Sequence, residues 1–547
     1  MFRSRPRTPG MMPDATPGRA RRRAIRGWML ACLLLGACDC DREQAPARGL
    51  RNLILISMDT QRADRLALYG GHVKTPNLRR LASRGALFER AYAHAPMTGP
   101  SHASLFTSLL PAEHGVRNNG RRLASKFTTL AEALAATGRT TAAFVSLAAM
   151  SHEYGFDQGF DTYEDRETRR YWWMSARELN RHVLPWFAEH HDEPFFAFVH
   201  YSDPHAPYAP PAKYQRLVIT RKGERVEELE VDGRRLYFRH AHPPGSTDYT
   251  LTLEGEVPVR CVHWKYPSRV ELTFGDGFEI RPHGDRKVRP DDHILVPGQP
   301  ATLTVHNRRA SSRRASIRFD GLLQQTDAQR RRGYDLETRF LDRQLGRLLA
   351  ALDRHGLWDD TAIVVTADHG EELGEHRGHF GHVQHLFESV VRVPLIIVAP
   401  GWFEPGSRVP RVVRHVDLGP TLARVLGFDL PADVRGRSLW PVSEIGERIA
   451  VAQTHRPQAR TDRGAAIEQR LKLAVELEKG TEELRDLTRP GPEWKAVVRK
   501  PDDGQRAVRA VLERALGVLR PETAEPGAPF ELDERAREAL RALGYVE

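Results

Sequence analysis

Three continuous apolar runs, each broken off at its C-terminal end by an aspartate, constrain this chain more than any other feature. "NLILISMDT" ends on Asp59, "PFFAFVHYSDPH" on Asp203 and His205, and "TAIVVTADHG" on Asp368 and His369. Apolar runs without alternation belong to strands covered on both faces, which points to a parallel sheet. Such sheets bind ligands beyond the carboxyl ends of their strands. A single strand followed by Asp is a common turn. Three of them, two with Asp and His together, predict a metal site assembled from distant parts of the chain.

The segments between the runs fit alternating strands and helices. "YDLETRFLDRQLGRLLAALDRHG" places Leu336, Phe340, Leu345, Leu348, Leu349 and Leu352 on one helical face, and Gly356 stops the helix before the third run. "TLAEALAATGRTTAAFV" reads as helix, glycine turn and strand. The expected architecture is α/β, a mostly parallel sheet sandwiched by helices. Between 213 and 325 that pattern stops. "EELEVDGRRLYFRHA" alternates about an Asp-Gly turn, "RVELTFGDGFEIR" repeats the plan about Gly-Asp-Gly, and "QPATLTVHNRRASSRRASIRFDG" reads as two more strands. This predicts an inserted all-β module, with Trp264, Tyr266 and Phe274 as aromatics able to stack on a sugar or to fill its core. The expected division is 51–212 with 326–445 for the α/β domain, 213–325 for the module, and 446–547 for a small C-terminal subdomain and tail.

Charge is uneven. The net charge is +11, but residues 1 to 37 hold eight arginines against the single acid Asp14, so most of the excess lies there. Hydrophobic content of 40% and charged content of 28% are ordinary for a folded protein, and no basic stripe marks a nucleic-acid surface. Nucleic acid is not an expected partner. "RARRRAIRGWMLACLLLGACDC" instead joins a basic region to an apolar stretch of about eleven residues, too short for a bilayer that needs about 20. It reads as a secretory signal over 1–37. Its end, Leu35-Gly36-Ala37-Cys38, resembles a bacterial lipoprotein box, which makes Cys38 the expected lipidation site and 38–50 a tether. The expectation is a membrane-anchored lipoprotein facing the periplasm or the cell surface. Only Cys38, Cys40 and Cys261 would remain after cleavage, so disulfides are not the expected framework.

"HAPMTGPSHASLFTSLLP" adds a hydroxyl to this picture. Thr98 stands two residues before Pro100, a residue suited to the first turn of a helix that "SHASLFTSLL" continues. Thr98 is either a plain N-cap or a nucleophile. A helix N-terminus with free N–H groups eases formation of an alkoxide, and a nearby divalent metal lowers the hydroxyl pKa further.

At this point the chain resembles the sulfatase family of the alkaline phosphatase superfamily. The resemblance rests on "NLILISMDTQRADRLALYGG", "KTPNLRRLASRGALFERAYAHAPMTGPSHASLFTSLLPAEHGVRNNG", "YGFDQGFDTYED", "VTADHGEELGEH", "LFESVVRVPLIIVAPG", "VRHVDLGPTLARVLG" and "RGRSLWP". "ELRDLTRPGPE" and "LRALGYV" are similar to the family's C-terminal tail. The resemblance implies that Asp59, Asp368 and His369 are metal ligands and that Thr98 is the nucleophile, also touching the metal. It places His205 and His382 at the anionic group of the ester. In two-metal members an Asp and two His hold a second ion, a task for which Asp203, His205 and His382 have the right chemistry. One or two divalent ions are implied, Ca²⁺, Zn²⁺, Mn²⁺ or Mg²⁺. His376, His379, His382 and His385 recur every three residues, but interleaved glycines exclude one helical face, so all except His382 read as loop or surface residues.

The departures from the family pattern bear on chemistry. Sulfatases of the main class carry Cys or Ser where Thr98 stands, and oxidise it to formylglycine. Threonine lacks the two Cβ hydrogens that this aldehyde requires, so no formylglycine is expected. The usual Arg after Pro-Ser is His102, the Gly-Lys-Trp-His block is replaced by "AAFVSL", and the double Asp is reduced to Asp59-Thr60. The expected function is therefore a metal-dependent hydrolase of sulfate or phosphate esters working through a covalent threonine. The alternatives are a phosphotransferase or phosphodiesterase acting on envelope lipids or glycans, and a non-catalytic binding lipoprotein that keeps the fold.

Overall fold

Successive residues of one strand divide between two cores. In a computed structural model of the chain, Leu53 and Leu55 of the Asn52–Met58 strand join one apolar cluster, while Ile54, Ile56 and Met58 join another. Alternation of side chains across a strand puts these clusters on opposite faces of the sheet. The structure describes residues 49–517 except 167, 169–172, 207, 209–215, 231–234, 255–258, 266–269, 281–292, 297 and 321–325. The signal, Cys38, Cys40, Tyr266 and the "LRALGYV" tail lie outside the described residues.

The sheet has eight strands, in the order Arg408–Arg414, Ala86–Tyr92, Arg392–Val398, Thr361–Thr366, Asn52–Met58, Phe195–Tyr201, Thr140–Val145 and Thr162–Glu164. Arg392–Val398 is antiparallel to both its neighbours and the other pairs are parallel. The three apolar runs occupy adjacent central positions and run in the same direction, with Ser57 paired to both Thr366 and His200. Asp59 and Asp368 each follow two residues beyond that level, so the strand ends deliver them side by side.

Helices cover both faces. Thr98–Thr107, Leu130–Ala135 and Leu418–Leu426 pack on the side of Leu53, and Ala176–His190 and Asp327–Arg354 on the side of Ile54. All six residues expected on one helical face, from Leu336 to Leu352, are buried. At roughly 1.5–3 kcal/mol for each large apolar side chain fully buried, that stripe is what docks the helix. The helix begins at Asp327, earlier than its apolar stripe, because Thr326 and Gln329 form a capping box. Gly356 follows its end at φ +64°.

The inserted segment carries two five-stranded antiparallel sheets. One runs Val270–Phe274, Ala301–Asn307, Gly245–Glu254, Arg216–Arg221, Glu224–Glu230, and the other Phe278–Ile280, His293–Leu295, Val259–Lys265, Arg313–Asp320, Arg235–His242. They share one apolar cluster that includes Leu217, Ile219, Phe238, Leu251 and Leu295. The expected hairpins are not formed. The strands flanking Asp232-Gly233 belong to different sheets, as do those flanking Gly275-Asp276-Gly277. Alternation reports only that one face is buried and not which strand is the partner. A tight hairpin closes on Lys222 and Gly223, both at positive φ (52° and 82°), as a two-residue turn of right-handed twist requires. Phe274 packs inside the module, its ring stacked on His293 at 4.0 Å.

A four-stranded antiparallel sheet, Ala450–Thr454, Arg463–Ile467, Leu471–Glu476 and Thr481–Asp486, with the Asp503–Leu516 helix, forms the C-terminal part. Its apolar face packs against Leu110 and Val416 of the α/β core.

Candidate active site

Thr98 is the first residue of the Thr98–Thr107 helix, whose N-cap is Met97, and its hydroxyl makes no capping bond. The N-cap reading of Thr98 therefore fails. Oγ1 instead faces Asp59 Oδ2 at 3.5 Å. The helix does not present a fork of free N–H groups either. Gly99 N–H donates to Asn119 Oδ1 at 2.7 Å and Pro100 has none, which leaves chiefly the helix dipole at this end. Ser101, the next hydroxyl, donates to the Asp368 carbonyl at 2.6 Å.

His102, where the family has arginine, is wholly buried. Its Nδ1 donates to the Thr98 carbonyl at 2.8 Å, so Nε2 accepts from Ser57 Oγ at 2.9 Å. Burial lowers its pKa to about 3. It is a neutral strut tying the first helical turn to the central strand.

Asp59, Asp368 and His369 converge. One ligand atom from each lies within 4.8 Å of the others, and all three residues are inaccessible to solvent. Asp368 Oδ1 accepts from the N–H groups of Thr60 (3.2 Å) and His369 (2.8 Å), which turns Oδ2 toward His369 Nε2 at 3.3 Å. His369 Nδ1 faces the Gly370 carbonyl at 2.9 Å, so the proton sits there and Nε2 offers a lone pair. Asp59 Oδ1, Asp368 Oδ2 and His369 Nε2 are buried without any hydrogen-bond partner. Three unpaired ligand atoms of this kind fit a divalent cation.

The electrostatics agree. Burial pushes the carboxyl of Asp59 up, and burial together with the charge on Asp59 pushes Asp368 up to about 7. Burial takes His369 down to about 4, so it stays neutral. A cation between the two carboxylates would favour their ionised forms against this burial. Thr60, directly after Asp59, holds φ 56°, a strained conformation for a β-branched residue, and its carbonyl accepts from Tyr334 Oη at 2.8 Å.

His205 and His382 lie at the same place. The rings of His369 and His382 are 4.3 Å apart, and those of His205 and His382 5.4 Å. Burial lowers both pKa values, that of His382 to about 3, so neither is a fixed positive charge. Asp203 lies apart from the ligand trio: its Oδ2 accepts from Ala176 N–H at 2.7 Å, at the start of the Ala176–His190 helix. Among the described residues, Asp203, His205 and His382 are not brought together as a second metal trio. Asp203 and His205 line a small cleft with Leu147, Trp173, Ser202 and Glu337. The sequence reading missed Glu371. It is buried, its Oε1 lies 3.1 Å from His382 Nδ1, and burial raises its carboxyl. An acidic pair after "DHG" reads as solvated, and only the adjoining strand end shows that Glu371 points inward.

The sulfatase family model matches residues 51–428. The chain belongs to the sulfatase family. It is a sulfatase-like ester hydrolase, consistent with its relatives. The N-acetylglucosamine-6-O-sulfatase of Bacteroides thetaiotaomicron is 26% identical over 436 residues, 76% of this chain and 74% of that one. A sulfatase-fold structure solved in complex with its substrate D-glucosamine-2-N,6-O-disulfate is similar with a TM-score of 0.59 at 19% identity, over 86% of this chain and 98% of the other. A phosphonate monoester hydrolase from Silicibacter pomeroyi is similar with a TM-score of 0.55 at 19% identity, over 86% and 94%. At these identities the two structural likenesses speak for the fold.

Proposed function

We propose that this member of the family hydrolyses phosphate or sulfate esters through a covalent intermediate on Thr98. The observation that carries the reading is the Thr98 hydroxyl, excluded from capping and held 3.5 Å from Asp59 beside the orphaned donors of Asp368 and His369. A divalent cation held by Asp59, Asp368 and His369, with Thr98 beside it, would supply the positive charge that favours the deprotonated hydroxyl and screens the anionic ester. Ca²⁺, Mg²⁺, Mn²⁺ and Zn²⁺ all suit the donor set.

Thr98 Oγ1 attacks the tetrahedral centre in line. The hydroxyl proton passes to water as the new Oγ1–P (or Oγ1–S) bond forms and the bond to the leaving alcohol breaks, and the alcohol oxygen takes up a proton from water. Water then cleaves the ester on Thr98 and restores the hydroxyl. His102 holds the Thr98 backbone while this happens, and Glu371 holds His382. His205 and His382, both neutral, contact the ester by hydrogen bonding and not as fixed cations.

Threonine bears on the choice of ester. It cannot supply the aldehyde hydrate from which sulfate is eliminated, so a sulfated Thr98 must wait for water to attack sulfur. A phosphorylated Thr98 has the ordinary hydrolytic route, or passes its phosphoryl group to an alcohol. Phosphate monoesters and diesters of envelope glycans or lipids are therefore substrates on an equal footing with sulfate esters, and the similar proteins include both a sulfatase and a phosphonate monoester hydrolase. A binding scaffold without turnover would leave unexplained a buried hydroxyl held beside three unpaired ligand atoms.

The same proposal places the enzyme at the cell envelope, anchored through Cys38, where Cys38→Ala should release it from the membrane fraction. The deciding experiment is a screen of lipid-free protein against aryl sulfate, phosphate monoester and phosphodiester substrates with each of the four cations. Turnover of at least one class that is lost with chelator and restored by a cation is expected. No turnover under any pairing would sink the reading.

A further inference from the structure

Outside the catalytic cleft, the hairpin after Glu371 gathers a second set of ligand side chains. Glu372–Leu373 pairs antiparallel with Phe380–Gly381, and the loop between them turns through Gly374, Arg377 and Gly378 at φ 86°, 52° and 74°. These turns fold His376 and His379 back over Glu372, while His385 arrives from beyond the second strand. Glu372 Oε2 lies 2.6 Å from His385 Nδ1 and 3.8 Å from His379 Nε2, and Oε1 lies 3.8 Å from His376 Nδ1. Glu372, His376 and His385 each offer a ligand atom within 4.8 Å of the other two. These histidines are loop residues, as expected, and they surround one carboxylate.

Three atoms of the cluster are buried with no hydrogen-bond partner, namely Glu372 Oε1, His376 Nδ1 and His379 Nε2. The Glu372 side chain is 2% exposed. Separations of 3.8 Å are too long for hydrogen bonds, yet they suit ligand atoms around an ion with bonds of about 2.0–2.2 Å, which stand roughly 3.3 Å apart in a tetrahedron. Only the contact of Glu372 Oε2 with His385 Nδ1 is within hydrogen-bond distance. Three nearby arginines have carboxylates of their own: Arg62 pairs with Asp64 and Glu375, Arg463 with Glu476, and Arg485 with Glu493. Phe387 and Trp494 pack on His376 at 5.0 and 5.3 Å and close one side, while the His379 side chain, 35% exposed, leaves a way in.

We propose that Glu372, His376, His379 and His385 form a transition-metal site, suited above all to Zn²⁺ and separate from the cation site at Asp59. Three imidazoles and one carboxylate favour a borderline-soft ion, whereas the catalytic set is richer in oxygen. The site bears on the reaction through its position. Consecutive residues in extended backbone point to opposite sides, so Glu371 reaches inward to His382 while Glu372 reaches outward to the histidine loop. An ion at Glu372 would clamp both flanks of the segment that carries His382.

The test is metal binding by the full, tag-free chain, stripped with chelator and then titrated with Zn²⁺ in the presence of excess Mg²⁺. Wild type should take up about one equivalent of Zn²⁺ that Mg²⁺ does not displace, and Co²⁺ in its place should give the visible bands of a tetrahedral ion. The double variant His379→Ala/His385→Ala should lose that equivalent and those bands, while Asp59→Asn keeps both. His379→Ala alone, the mildest change to the fold, should weaken Zn²⁺ binding by about tenfold or more, since even outer partners of a metal ligand matter at that level. The proposal is overturned if wild type holds no Zn²⁺ beyond what Asp59→Asn removes, or if the variants, folded by circular dichroism, bind as wild type does.

Discussion

Thr98 Oγ1 and Asp59 Oδ2 stand 3.5 Å apart although 39 residues separate them in the chain. One sits on the first turn of a buried helix and the other at the end of a central strand, and both elements belong to the rigid middle of the fold. A nucleophile on such elements is positioned by the scaffold and not by loop closure.

Thr98→Ala should abolish turnover by several powers of ten while circular dichroism and the thermal midpoint stay near wild type, because the covalent route disappears and one hydroxyl is lost. Thr98→Ser should retain measurable activity, since a primary hydroxyl reaches the same place. Steady-state rates on the best substrate of the screen decide it. A Thr98→Ala enzyme working at the wild-type rate would refute the assignment.

On the proposed reading, Glu371 acts through His382. Replacing its carboxylate by the amide in Glu371→Gln should lower kcat/KM by about 10- to 100-fold with cation content unchanged, the range usual for partners that orient a site residue. Measuring bound metal alongside kinetics separates this from loss of the cation. Unchanged kcat/KM would mean that the Glu371–His382 contact is without consequence.

The buried histidines set an acid limit. Burial lowers His94 to about 4 and His114 to about 3, against about 6.5 in the unfolded chain. Between those values the native state binds fewer protons than the unfolded state, so this stability is present above pH 6.5 and is lost as pH falls toward 4. Down to pH 4, each of these histidines contributes roughly 3 kcal/mol to the effect. Urea midpoints should fall between pH 7 and pH 5, and His114→Gln should flatten the dependence. A midpoint that is level over this range contradicts the reading.

The inserted β segment has an apolar cluster drawn from its own residues, Leu217 to Val305. Excising 213–325 and rejoining the ends should leave an α/β domain that melts cooperatively and still binds the catalytic cation. Failure to fold, or loss of the metal, would show that the module is part of the main core.

Much of this arrangement is legible in the chain. Runs such as "NLILISM" and "TAIVVT" can satisfy their apolar side chains only when covered on both faces, and the helical stripe from Leu336 to Leu352 can be buried only against such a sheet. What failed were readings that depend on a partner. The Asp232-Gly233 and Gly275-Asp276-Gly277 turns look like hairpins because alternation says how a strand is buried and not which strand it pairs with. Thr98 looks like an N-cap because position N1 differs from it by one residue of backbone conformation.

Local chemistry, then, already confines the chain to an α/β sheet with Asp and His at its carboxyl edge, and excludes formylglycine at Thr98, since both follow from side-chain type and short-range periodicity. Convergence is a different matter. That Asp59, Asp368 and His369 share one point while Asp203 starts a helix, and that Glu371 and Glu372 serve opposite sides of one strand, depends on strand order and register among segments hundreds of residues apart. Those are settled by which apolar faces pack together, a long-range choice that no local pattern of residues carries.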